Sequence, residues 1–90
     1  SDVYKRQQYT IAVAKYGNFT VAANKSNVTQ PTLSMQVQKL EDELGISIFN
    51  RNTKPIKTTT IGQKIIDQAK IIIQESRWNE RLRCVREILW

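Results

Sequence analysis

The chain has 90 residues, enough for one domain or one domain with an appendage, and 40% of them are hydrophobic, which suffices for a compact core. Fourteen Lys and Arg against eight Asp and Glu give a formal charge of +6, a balance shared by nucleic-acid binders and by other basic domains. With no His and a single Cys, a His-centred triad, a Cys/His zinc site and an internal disulfide framework are all excluded.

Residues 4 to about 16 are predicted to be helical, since Tyr9, Ala12, Val13 and Tyr16 recur at helical spacing. Gly17-Asn18 breaks this helix. Phe19 is a core residue, Thr20 the expected N-cap of a short helix to about Lys25, and Ala22-Ala23 allow a close helix crossing. Ser26-Asn27 turn the chain and Val28 plugs the turn. The next helix has both ends written in the sequence: Thr29 as N-cap, Pro31 in the first turn and Gly45 as the left-handed stop. Leu33, Val37, Leu40 and Leu44 form its apolar stripe. Pro31, Thr32, Met35, Gln38 and Lys39 lie opposite, and for two turns that side has no acidic residue. Such a helix suits a DNA major groove, and the pair reads as a helix-turn-helix over about 19–38. A generic helical hairpin in a bundle core fits the same pattern. Glu41-Asp42-Glu43 reads as a solvated acidic face.

After Gly45, Ile46 and Ile48, then Ile56 with Thr58, predict two short β segments around the polar turn Asn50 to Pro55. From Gly45 to Thr60 the only charges are Arg51, Lys54 and Lys57, all positive. This hairpin-like wing can lay cations on a phosphate backbone or into a minor groove; an ordinary solvated turn is the other reading. Thr59 is expected to cap a long helix with Ile61, Ile65, Ala69, Ile72 and Ile73 along one side and Ile66 nearby. Ile71, Ile72 and Ile73 cannot all face one small core, so pairing with a second copy is preferred to a helix that merely closes the bundle. Cys84 is expected to be a free thiol. No apolar run approaches the roughly 20 residues of a membrane span, and no signal-peptide h-region opens the chain.

These strings resemble the N-terminal winged helix-turn-helix domain of LysR-type bacterial transcription regulators over about residues 8 to 76. The carriers are Ala12-Val13-Ala14, Gly17-Asn18-Phe19-Thr20 with Ala22-Ala23, Val28 to Ser34, Lys39 to Gly45, Ile48-Phe49-Asn50-Arg51, and Thr59 with Gly62. Each string is weak alone; the order and spacing are specific. Gln30 to Gln36 and Asn52-Thr53-Lys54-Pro55 look most like the OxyR-type, peroxide-responsive branch. The resemblance implies a mainly α fold: a three-helix core and short β-hairpin wing over 1–58, then a linker and dimerisation helix over 59–90. It also implies that Gln30, Pro31, Thr32, Ser34 and Met35 face the major groove, with Arg51 and its neighbours as the wing. A homodimer through the long helix, a DNA site with two half-sites and a separate effector domain outside these residues follow as well.

The chain departs from the family at Gln7 and Thr58, where leucine is usual, in Ser1 to Arg6, and in the tail Arg81 to Trp90. This leaves open whether the ends are truncated or foreign to the natural chain. Met35 stands where a cation is frequent, which favours contact with thymine methyls.

The expected function is therefore sequence-specific binding of double-stranded DNA by a cytoplasmic, non-enzymatic regulator domain that needs no metal or cofactor. Gln30 is the expected adenine-reading amide. Thr32 and Ser34 would meet phosphate or base edges, and Met35 would add apolar contact. Thr29 begins the groove-entering segment and is counted among the DNA-binding residues, while Gln38 and Lys39, further along the same side, would meet the DNA backbone. Arg51, Thr53 and Lys54 serve the wing, and Thr20 a phosphate. The rivals are a helical protein-interaction module without DNA binding, a small enzyme, disfavoured by the missing His and paired carboxylates, and an RNA binder, weakened by few exposed aromatics.

Overall fold

The computed structural model describes the backbone of residues 2–89 and the side chains of residues 3–74, with Cys84 and the divergent tail lying outside those described side chains. Four helices and one two-stranded sheet follow in the order α1 (Asp2–Tyr16), α2 (Phe19–Lys25), α3 (Gln30–Leu44), β1 (Phe49–Asn50), β2 (Lys57–Thr58) and α4 (Thr60–Leu89). The mainly α, winged helix-turn-helix architecture is as expected. The strands are antiparallel, with Phe49 opposite Thr58 and Asn50 opposite Lys57, so the hairpin lies slightly further along the chain than the isoleucine pattern suggests.

Val13 from α1, Ala22 and Ala23 from α2, Leu33 and Val37 from α3, Ile48 and Phe49 from the wing and Ile66 from α4 form one core. Thr10 is also buried, and its hydroxyl returns to the Arg6 carbonyl at 2.7 Å, which meets its polar requirement inside α1.

One helix cap differs from expectation. Asn18, not Thr20, caps α2: its extended backbone precedes the first helical residue and its Oδ1 accepts from the Val21 N–H at 3.0 Å. Thr20 is left exposed inside the first turn. Thr29 does cap α3, accepting from the Thr32 N–H. Gly45 ends that helix at φ 67°, and the Ile46 N–H closes back on the Glu41 carbonyl at 3.2 Å.

The first helix, α1, is tied to α3 by a residue outside the expected pattern. Arg6 donates from Nε to Gln36 at 3.0 Å and from Nη1 to Glu43 at 2.6 Å. This anchors the opening turns of the chain.

The phase of α4 is set by its first turn. The Thr59 hydroxyl accepts from the Gly62 N–H at 3.0 Å and donates to the Ser47 carbonyl at 2.6 Å, while the Thr59 N–H donates to the Ile48 carbonyl at 2.9 Å. Gly62 therefore lies directly on the Ile48 backbone. The buried face is Gly62, Ile66, Ala69 and Ile73, spaced by four, three and four. Ala69 and Ile73 thus belong to the chain's own interior, a correction to their expected place on a dimer face. Ile61 and Ile72 are exposed and Ile65 is half-buried. Among the described residues no helix is long and apolar enough to cross a membrane.

Candidate nucleic-acid interface

The front of α3 is open as its spacing predicts. Gln30, Pro31, Thr32, Met35, Gln38 and Lys39 are exposed, Ser34 is half-buried, and Leu33 and Val37 are fully buried behind them. Met35 has half its surface in solvent, an unfavourable placement for a thioether that has no partner. Local hydrogen bonds order this surface. Thr29 Oγ1 donates to Thr32 Oγ1 at 2.8 Å, Gln30 Nε2 donates to Ser34 Oγ at 3.2 Å, and Gln38 Nε2 donates to Asp42 at 2.9 Å. The last bond draws Gln38 toward the acidic end of the helix.

The back of α3 is not purely apolar. Leu40 is half-buried and Leu44 exposed, whereas Glu41 is 4% exposed. The expectation of a solvated acidic face fails for this residue. Its Oε2 accepts from the Ile48 N–H at 2.7 Å and the Phe49 N–H at 3.4 Å, and its Oε1 accepts from Arg51 Nη2 at 2.7 Å. Burial pushes the Glu41 pKa up, but the Arg51 hydrogen bond, the two backbone donors and the Arg51 charge outweigh it. The carboxyl sits below its ordinary value and stays ionised.

On the wing, Lys54 and Lys57 are exposed, and the Thr53 hydroxyl donates to the Asn50 carbonyl at 3.3 Å. Arg51 is exposed as well, but its guanidinium is held on Glu41 and its Cζ lies 5.2 Å from the centroid of the Phe19 ring. Phe19, Gln30, Ser34, Gln38, Arg51 and Ile56 together line a hollow of about 330 Å³ between α3 and the wing base. The structure thus sets α3 and the wing base facing each other across a shared hollow. Sequence reasoning missed Arg6 and Glu41; a buried Glu is legible only once its donors, seven to ten residues away, are known to fold back onto it.

A helix-turn-helix with this wing can be compared with known proteins. Residues 4–63 match the family described as bacterial regulatory helix-turn-helix protein, lysR family. The chain belongs to the lysR family. Among curated lysR-type relatives, the hydrogen peroxide-inducible genes activator of Haemophilus influenzae is 43% identical over 68 residues, covering 76% of this chain and 23% of that protein. Among solved structures, BenM_DBD with catB site 1 DNA superposes with a TM-score of 0.78 at 35% identity, covering 94% of this chain and 89% of the other. Full-length OxyR from Pseudomonas aeruginosa gives a TM-score of 0.85 at 34% identity, covering 91% of this chain and 28% of the other. The chain spans 20–24% of the length of the curated lysR-type relatives it matches.

Proposed function

We propose that this lysR-type domain binds double-stranded DNA in the cytoplasm as a homodimer, inserting the N-terminal half of α3 into a major groove. The observation that carries this is the exposed, acid-free front of α3, rigidly backed by Leu33 and Val37. The likeness to a family domain solved on DNA supports it. Gln30 reads a base, Pro31, Thr32, Ser34 and Met35 shape the contact, and Thr29, Gln38 and Lys39 lie toward backbone. Lys54, Thr53 and the exposed Thr20 meet phosphate or the minor groove. The likeness to peroxide-inducible activators supports a parent regulator near that branch, with signal sensing outside these residues.

Selection of duplexes from a random pool tests this reading through enrichment, half-site spacing and symmetry in one experiment. Gln30→Ala should cost about 1–3 kcal/mol on the selected site and relax one base position. Equal losses on selected and random duplex, measured by titration, would remove Gln30 from base readout.

The dimer is assigned to the outward stripe of α4. Ile61 is 46% exposed and Ile72 42%, a placement that costs hydration unless another surface covers it. An Ile61→Lys/Ile72→Lys double variant should sediment as a monomer and lose binding to paired half-sites, while its thermal melt stays near that of the parent. The same exposed isoleucines favour one rival, a protein-interaction module. Tight self-association beside absent or salt-insensitive DNA binding would select that rival.

A further inference from the structure

The three wing cations are not equivalent. Lys54 and Lys57 are exposed and make no ion pair among the described residues. Arg51 has its fork engaged by Glu41, with Nη2 to Oε1 at 2.7 Å and Nη1 to Oε2 at 3.4 Å, and its Cζ lies over the Phe19 ring, 5.2 Å from the centroid. Phe19 meets Phe49 edge-to-face at 6.0 Å between centroids. The same carboxylate accepts the Ile48 and Phe49 N–H groups that open β1. One guanidinium thus joins α3, the start of α2 and the root of the wing. A guanidinium holds two donors in a fixed fork that matches the carboxylate while its cationic centre lies over the ring; an ammonium on a shorter, single-point head lacks that fork.

We propose that Arg51 is a positioning residue, which rests on the DNA-binding reading above: it fixes the wing against α3, and Lys54 and Lys57 carry the charge that meets phosphate. A cation already neutralised by a buried carboxylate releases few counterions, whereas each phosphate-neutralising cation steepens the logarithmic salt dependence by about 0.9.

The test measures dissociation constants across a salt series, using duplex selected by the parent chain. The variants are Arg51→Lys, Arg51→Met, Glu41→Gln, the Glu41→Gln/Arg51→Met double variant and Lys54→Ala, with thermal melts to confirm folding at the working temperature. Both Arg51 variants should weaken binding roughly tenfold at unchanged salt slope, and the double variant should be no worse than the single ones. Glu41→Gln should also weaken binding, although removing a negative charge favours DNA by electrostatics alone. Lys54→Ala should lower the slope by about 0.9.

Amide hydrogen exchange on the free protein supplies a readout without DNA: Ile48 and Phe49 should exchange faster in Arg51→Met. Rescue by Arg51→Lys, with a slope lowered by about 0.9 in Arg51→Met, would make Arg51 a phosphate contact and overturn the proposal. So would unchanged exchange at Ile48 and Phe49, whatever the DNA result. A parent chain that binds no duplex at any salt would instead sink the DNA-binding reading, while accelerated exchange would still show Arg51 holding the wing.

Discussion

Replacing Glu41 by Ala should destabilise the domain by about 3 kcal/mol, because it removes one carboxylate from three donors at once. Ile48 is fully buried and its N–H loses the Glu41 acceptor, as does the Phe49 N–H. Arg51 loses its counter-ion but remains partly solvated, its side chain 41% exposed, so the cost is dominated by the stranded backbone groups and the emptied volume. For a domain of this size the midpoint of thermal unfolding should fall by about 12–24 °C. A melt within a few degrees of the parent would show that these bonds contribute little. The pH dependence carries a definite sign. The folded Glu41 carboxyl lies below the ordinary carboxylate value of 4.5, so its contribution is fully present above about that pH. It is lost as pH falls through the depressed folded value. In Glu41→Ala the acid limb of a stability-against-pH curve should flatten below about pH 4.5, with the neutral region displaced downward uniformly.

A Gly62→Ala substitution should also destabilise, by about 3 kcal/mol, against the sign that helix propensity alone gives. Alanine inside a helix normally gains about 1 kcal/mol over glycine. Here an added Cβ would collide with the Ile48 carbonyl oxygen and stand 2.7 Å from the Ile48 Cα and 2.8 Å from its carbonyl carbon. All three are backbone atoms, so no side-chain rotation relieves the overlap. The same junction is held from the other side by Thr59, whose hydroxyl and N–H bond the Ser47 and Ile48 carbonyls. Relief therefore requires α4 to separate from β1. Calorimetry decides the matter, since a stabilised Gly62→Ala variant would mean that α4 does not seat on Ile48 as described.

What the sequence discloses here follows from how far apart the cooperating residues lie. The boundaries of α3 are legible because Thr29, Pro31 and Gly45 act within one turn of the ends they set, and the structure places those ends where these residues require. The open front of the helix is legible for the same reason: wheel positions are local. Glu41 was not legible. Within an acidic triplet it looks like its neighbours, and its burial depends on amides at 48 and 49 and a guanidinium at 51 folding back. The α2 cap shows a nearer ambiguity, since Asn18 and Thr20 both favour caps and the turn at Gly17, at φ 64°, decides for Asn18. For α4, apolar periodicity was plain but its phase was not. Contact with Ile48 rotates Gly62, Ile66, Ala69 and Ile73 inward and leaves Ile61 and Ile72 outside.

The bond between Gln30 and Ser34 bears on the energetics of docking. A free glutamine samples several rotamers, and freezing it on arrival costs on the order of 1 kcal/mol. Here one amide hydrogen is already donated to the Ser34 hydroxyl, which leaves the carbonyl oxygen and the second hydrogen for other partners. An acceptor and a donor on one amide complement an adenine edge, so under the proposed base readout the side chain would arrive with part of its ordering already done.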